Sequence, residues 1–152
     1  METTVAIILL NYNGEKDTIE CLNSLKKIDY KIYFIIIVDN HSNQESIETL
    51  RNSKSTFAFQ LLESKTNNGF AAGNNIGIRA ALEQRADYIV LLNNDTLVEK
   101  DFLSKLLKPF EEDKDCGVTT STIYYEENRK KIWCAGGEFN PRTFKVTLIG
   151  YG

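Results

Sequence analysis

The stretch Val5-Ala-Ile-Ile-Leu-Leu-Asn-Tyr-Asn-Gly14 decides the fold. Six consecutive apolar residues run without polar interruption into a turn of amides and glycine. A strand facing water on one side would alternate apolar with polar residues; a continuous run is the mark of a strand covered on both faces, as in a parallel sheet. The turn Asn11-Tyr12-Asn13-Gly14 then opens a stretch, 15–28, in which Ile19, Leu22, Leu25 and Ile28 recur every third residue, an amphipathic helical stripe.

Working outward, the same unit repeats. Further strand-like segments lie at 33–38, 57–62, 88–92 and 117–124, with a weaker one at 145–149. Helix-like segments lie at 45–52, 73–85 and 100–112, and Pro109 predicts a kink or an end in the last. Strand and helix alternate four times, which predicts an α/β sandwich with a mostly parallel sheet and right-handed crossovers. Beyond Gly117 only strand-like pieces and turn signals remain, among them Gly136-Gly137 and Asn140-Pro141.

The 152 residues suit one domain spanning 1–152. With 42% hydrophobic and 26% charged residues the chain is ordinary globular material. Its charge of −3 offers no basic face for nucleic acid, and no nucleic-acid partner is expected. No apolar run approaches the roughly 20 residues that span a bilayer. The N-terminus lacks the basic region of a signal peptide. Cys21, Cys116 and Cys134 form no C-x-x-C pair and read as buried thiols in a reducing compartment. A soluble, cytoplasmic protein is expected.

The turns that leave the strands carry the chemistry. The first strand runs into Asn11-Tyr12-Asn13-Gly14, the second into Asp39-Asn40-His41-Ser42, the third into Lys65-Thr66-Asn67-Asn68-Gly69, and the fourth into Asn93-Asn94-Asp95-Thr96. A parallel sheet gathers these turns along one edge, where ligands of open α/β sheets bind. Each cluster alone is ordinary turn and cap chemistry, but a βα turn needs one cap and these carry three or four polar groups apiece. The glycine-rich segment 69–77 has neither the G-x-G-x-x-G spacing nor the position of a dinucleotide fingerprint, and no P-loop is present. Asp95, just past a buried strand, can hold Mg²⁺ or Mn²⁺ while leaving ligand positions for a diphosphate. Asp39 can accept a hydrogen bond from a base N–H or a ribose hydroxyl.

These segments resemble the family 2 glycosyltransferases, in particular the rhamnosyltransferase-like branch. The matching stretches are 5–14, Ile37-Val-Asp-Asn-His-Ser42, Asn68-Gly-Phe-Ala-Ala-Gly-Asn-Asn75 and Leu91-Leu-Asn-Asn-Asp-Thr96, with Ile132-Trp-Cys-Ala-Gly-Gly137 and Ile149-Gly-Tyr-Gly152 next in order. The resemblance implies a Rossmann-like, GT-A type three-layer sandwich that binds a nucleoside-diphosphate sugar. It casts Asp39 as reader of the nucleobase, with Tyr12 and Asn13 lining the base pocket and Asn11 beside them as a donor-binding residue. Asn68, Gly69 and Asn74 approach the ribose and diphosphate, beside Asn93 and Asn94. Asp95 takes the last position of the family's D-x-D metal motif, whose first position here is Asn93, so one carboxylate would hold the divalent cation.

The reaction implied is inverting transfer from a dTDP- or UDP-linked sugar, rhamnose among the candidates, to a polysaccharide or lipid-linked glycan. In the family the general base lies beyond the Gly-Tyr-Gly segment, so the chain is expected to be the truncated donor half of a longer enzyme, with no catalytic base before Gly152 and no turnover alone. A membrane-associated parent at the inner face of the membrane is compatible with that branch, and the oligomeric state is open. Two other readings stand beside this one: a nucleotidyltransferase, and a module that binds nucleotide-sugar without transferring it. His41 reads as a solvated turn residue, and Trp133 equally as a sugar platform or an edge aromatic.

Overall fold

The computed structural model of the chain describes residues 3–150, in two compact units, Met1–Asp101 and Phe102–Gly152. In the first unit, strands β1 (Val5–Asn11), β2 (Tyr33–Asp39), β3 (Gln60–Glu63) and β4 (Tyr88–Asn93) alternate with helices α1 (Glu15–Leu25), α2 (Gln44–Ser53) and α3 (Gly69–Glu83). The four strands form one parallel sheet in the order β3-β2-β1-β4. The chain winds outward from β1 to β3 and then returns to the far side of β1. The strand order therefore reverses between β1 and β4, and the carboxyl ends there flank the crevice where such sheets bind ligands.

Side-chain parity sorts this sheet into two faces. Parallel pairing sets Ala6, Ile8 and Leu10 of β1 level with Phe34, Ile36 and Val38 of β2, and with Ile89, Leu91 and Asn93 of β4. This even-numbered face of β1 and β2 packs against α3, where Ala6, Ile8, Ile36, Val38 and Ala81 form a closed cluster. The helix sits very close. A Cβ at Gly73 would lie 2.5 Å from Leu10 Cδ1, and one at Gly77 2.6 Å from Ile8 Cγ2. Val5, Ile7, Leu9 and Asn11 alternate onto the opposite face, and Asn11 reaches α1 and α2 from there. Helix, sheet and helix make three layers, as the sequence predicts.

The predicted elements of this unit fall close to those observed, with three informative differences. The third strand starts at Gln60 rather than residue 57, because Phe57 closes the turn after α2 by donating its N–H to Ser53 O. Helix α3 starts four residues before the predicted 73, at Gly69, whose φ of +84° lets the chain enter the helix from a left-handed position that side chains resist. The fourth strand, whose run Tyr88–Leu92 is as continuously apolar as the first, is only half-buried, since among the described residues it pairs with β1 alone.

The second unit holds α4 (Phe102–Glu112) and two antiparallel pairs, β5 (Ile123–Tyr124) with β6 (Ile132–Cys134) and β7 (Gly137–Asn140) with β8 (Lys145–Leu148). Pro109 neither ends nor precedes the helix, which continues three residues past it. Most of the predicted strand at 117–124 is irregular; only its last two residues pair, and Val118 is 88% exposed. Phe139 and Phe144 meet edge-to-face across the β7–β8 hairpin, with centroids 6.2 Å apart. Trp133 is partly exposed in β6, and Cys116 and Cys134 are half-buried rather than core. Tyr151 and Gly152, which end the last of the matching stretches, lie outside the described residues.

Candidate functional site

At the carboxyl edge of the first sheet, parity divides the polar residues into two sets. Asn11 and Asp39 are paired partners at the ends of β1 and β2, and both are completely buried on the α1/α2 face. Asn11 Nδ2 donates to Asp39 Oδ1 at 2.8 Å and to the Ser42 and Ser46 hydroxyls at 3.1 and 3.3 Å. Asp39 is further filled by Ser42, whose hydroxyl donates to Oδ1 at 2.5 Å and whose N–H donates to Oδ2 at 2.9 Å. On the other side, the Thr18 hydroxyl sits 3.0 Å from Asn11 Oδ1 and accepts from Asn94 Nδ2 at 3.0 Å. Buried polar groups must be paired to be tolerated, and here the carboxylate and the Asn11 amide satisfy one another and their neighbours.

The turns are cross-braced as well. Asn13, at a φ of 50° that asparagine tolerates better than most residues, accepts from Asn43 N–H at 2.8 Å through its side chain and donates its own N–H to Ser42 Oγ at 2.9 Å. Asn94 Nδ2 also reaches Gly14 O at 3.2 Å, tying the end of β4 to the start of α1.

The second set faces a pocket of about 440 Å³. Leu10 lines it from β1, Tyr12 from the turn that follows, Asn40 from the turn after β2, and Leu91, Asn93 and Asp95 from β4 and its turn. Gly69, Phe70 and Asn74 close it from the first turns of α3, with Asn67 just before them. Tyr12 and Phe70 are both more than half exposed, apolar rings held at the rim rather than packed in a core. Asn74, nearly buried, donates to Phe70 O at 3.0 Å.

The sequence-predicted site residues thus separate. Tyr12, Gly69, Asn74, Asn93, Asn94 and Asp95 line the pocket. Asn11, Asn13 and Asp39 do not; they hold the turns. Asp39 in particular, expected to read a nucleobase, has no exposed surface and both oxygens engaged, because the last residue of β2 points to the α1/α2 face. The next residue, Asn40, is the one presented to the pocket. Asn68 bonds Thr66 Oγ1 at 2.9 Å, on the exposed loop. Asn40, Asn67 and Phe70 escape reasoning on residue type; strand parity counted from Ile8 and Ile36 would have found Asn40.

Asn40 is also the place where the pairing is incomplete. Its Nδ2 donates to Asn67 Oδ1 at 2.8 Å and to Gly69 O at 3.3 Å, yet its Oδ1, buried, has no partner among the described residues. Asp95 is the single acid among the described residues lining the pocket, and no three His, Cys, Asp or Glu side chains converge as a metal cage among the described residues. One exposed carboxylate beside Asn93 fits a hard divalent cation that takes most of its oxygen ligands from a substrate diphosphate and water. The negative charge of Asp95, after burial as the larger cause, helps to push the Cys21 thiol up to about 12.

A four-stranded 3-2-1-4 sheet with an amide-lined pocket at its reversal point agrees with what sequence comparison finds: the "Glycosyl transferase family 2" profile matches residues 6–149. The chain belongs to that family. It is 27% identical over 95% of its length to the uncharacterised glycosyltransferase YfnE of Bacillus subtilis, and 26% identical over 70% to the dTDP-rhamnosyl transferase RfbF of Shigella flexneri. The solved mannosyltransferase PcManGT of Pyrobaculum calidifontis, in complex with GDP-Man and Mn²⁺, superimposes over 86% of the chain with a TM-score of 0.72 at 22% identity. That likeness establishes the GT-A fold of family 2 members for this chain. The chain spans 38%, 34% and 38% of these three proteins. Among the described residues no helix is long and apolar enough to cross a membrane.

Proposed function

We propose that this chain binds the donor of an inverting glycosyl transfer, a nucleoside-diphosphate sugar, in the pocket at the β1/β4 reversal. The observation that carries the reading is the pocket's make-up: two exposed rings, five amides and one carboxylate among its lining residues. The Tyr12 ring offers a flat apolar face for a base. Asn40 takes the base-reading role first expected of Asp39, since it reaches the pocket and keeps an acceptor unused. Gly69 permits close approach of the ligand because it has no side chain and nothing lies within 4 Å of where one would be. Asn74 and the Phe70 ring bound the ribose side.

Asp95, aided by Asn93, would hold a divalent cation, which when bound stabilises the leaving diphosphate as a Lewis acid. Asp95 is thereby committed, and the described residues lining the pocket offer no second acid to deprotonate an acceptor hydroxyl. In this reading the 152 residues act as one donor domain of a longer enzyme, and the general base and acceptor site are supplied by other sequence. A pyrimidine donor is favoured by the likeness to a dTDP-rhamnosyl transferase. The acceptor class is a surface glycan or its lipid-linked precursor, by the branch resemblance.

Calorimetric titration with UDP, dTDP and GDP, each with and without Mn²⁺, tests the reading. Metal-dependent binding of a pyrimidine nucleotide is expected, reduced at least tenfold in both Asn40→Ala and Asp95→Ala. Absence of binding by any nucleotide to folded protein would refute it, and full binding by Asn40→Ala would return the base to another residue.

A further inference from the structure

We infer that Asn67, which the pocket's other chemistry does not require, is a specificity-determining residue: it locks the Asn40 amide so that its oxygen alone is offered to the nucleobase, selecting uracil or thymine over cytosine. The inference rests on the donor-site reading above and adds to it a residue and a rule.

One group in this corner has a role that cannot be reversed: a backbone N–H only donates. Gly69 N–H lies 3.0 Å from the Asn67 side-chain oxygen, which fixes that amide with Oδ1 as acceptor. The same oxygen lies 2.8 Å from the Asn40 amide, so the Asn40 atom facing it must be Nδ2. Gly69 O, an obligate acceptor 3.3 Å away, takes the second amide proton. Turning Asn40 over would set its oxygen against two acceptors. Both N–H groups of Asn40 are therefore spent inside the protein, and what remains is Oδ1, buried and unpartnered in a residue only 3% exposed.

A buried acceptor without a donor is costly and is relieved by a ligand that brings one. Uracil and thymine present an N3–H between two carbonyls. Cytosine presents a bare N3 lone pair, which would face the Asn40 oxygen with no proton between them. Sites built around a hydrogen bond reject analogues that lack the matching group far more strongly than apolar pockets reject a missing methyl. An aspartate at position 40 would also accept, but an unrestrained asparagine could turn and accommodate either base. The lock is what makes an amide selective.

The test is titration of UDP and CDP, with Mn²⁺, into the wild-type chain and into Asn67→Ala and Asn67→Asp, each checked for folding by thermal melting. Wild type is expected to prefer UDP by a factor on the order of 100. Asn67→Ala leaves only the 3.3 Å bond to Gly69 O, and the preference is expected to fall below about fivefold, chiefly through tighter CDP binding. Asn67→Asp retains the acceptor for both Gly69 N–H and Asn40 Nδ2, and is expected to keep the preference. Equal binding of UDP and CDP by wild type, or a wild-type ratio in Asn67→Ala, overturns the inference while leaving the donor site intact. Wild type that binds neither nucleotide removes the donor-site reading itself.

Should Asn67→Ala fail to fold, side-chain amide NMR on wild type decides the matter. The Asn40 NH₂ pair is expected to exchange slowly before UDP is added and to stay slow afterwards. Rapid exchange in the free protein would overturn the lock.

Discussion

Helix α3 carries a test of how tightly its packing sets the pocket wall. Gly77→Ala would place a Cβ 2.6 Å from Ile8 Cγ2 and 3.2 Å from Val38 Cγ2. Comfortable carbon contacts lie at roughly 3.5–4.0 Å, so the helix must retreat by about 1 Å or the strand must give. Neither neighbour yields easily: both are completely buried and β-branched, stiff about χ1. Overpacking of this kind costs about 1–3 kcal/mol, and against it stands about 1 kcal/mol gained from better helix propensity. Because both neighbours are rigid the upper part of the range applies, and the net expectation is a loss of about 1–2 kcal/mol. Gly73→Ala looks worse on distance, 2.5 Å, but the atom it meets is the end of the half-buried Leu10 side chain, which can swing toward the pocket. The expected order is that Gly77→Ala loses more stability than Gly73→Ala, in urea denaturation of both variants and wild type. Gly73→Ala would instead weaken nucleotide binding, since Leu10 lines the pocket. A Gly77→Ala protein as stable as wild type, or the reverse order, would refute the claim that rigidity of the neighbour decides the cost.

The two sets of polar residues and the cysteines carry further expectations. Asp39→Ala leaves Asn11 Nδ2 and the Ser42 N–H and hydroxyl without their shared acceptor and is expected to cost about 2–4 kcal/mol in urea, whereas Asn40→Ala, which removes two hydrogen bonds but also relieves an unpaired buried oxygen, is expected to cost less, about 1–2 kcal/mol, and yet to lose nucleotide. The Glu15 carboxyl is held below its usual range chiefly by its own backbone N–H and then by the Ser46 hydroxyl. Its folded pKa lies below the unfolded value, so its stabilisation is complete above the unfolded pKa and is lost as pH falls through the folded one. The difference in Tm between wild type and Glu15→Gln is therefore expected to be present at neutral pH and to close in acid, below the usual carboxylate range, and an unchanged gap there would contradict it. Native protein treated with a thiol-specific disulfide reagent is expected to label Cys116 and Cys134 but not Cys21, whose thiol is buried and pushed up to about 12; prompt reaction of all three would show that α1 packs more loosely than its buried face implies.

The sheet was legible because its signal is long and redundant: Val5 to Leu10 and Tyr33 to Val38 are apolar throughout, and α1 repeats its stripe over three turns. The polar strand ends were legible as a set for the same reason. Which member of each set lines the pocket was not, because that depends on a parity of one residue. Asp39 and Asn40 are neighbours in sequence and lie on opposite faces in space, and residue type favoured the carboxylate. Only the packing of Ile36 and Val38 against α3 settles which neighbour turns to the pocket. Asn67 was hidden for a different reason. It acts through hydrogen bonds to residues 27 and 2 positions away, and nothing in the run Thr66-Asn67-Asn68 separates a structural amide from a loop amide. Beyond Gly117 the pieces are too short for periodicity to mark their limits, and the two-residue strand Ile123–Tyr124 has less than one full alternation.

The closed set Thr18–Asn11–Asp39–Ser42–Ser46 governs how such a site can change. None of its members borders the pocket, yet together they fix where Tyr12 and Asn40 stand. On the donor-site reading the scaffold and the recognition surface are separable: substitutions in the scaffold are expected to lower affinity for every nucleotide alike, whereas those at Asn40, Asn67 or Tyr12 are expected to change affinity or preference with the frame intact. A lineage could exchange one donor for another by altering that outer layer while the inner one stays constant.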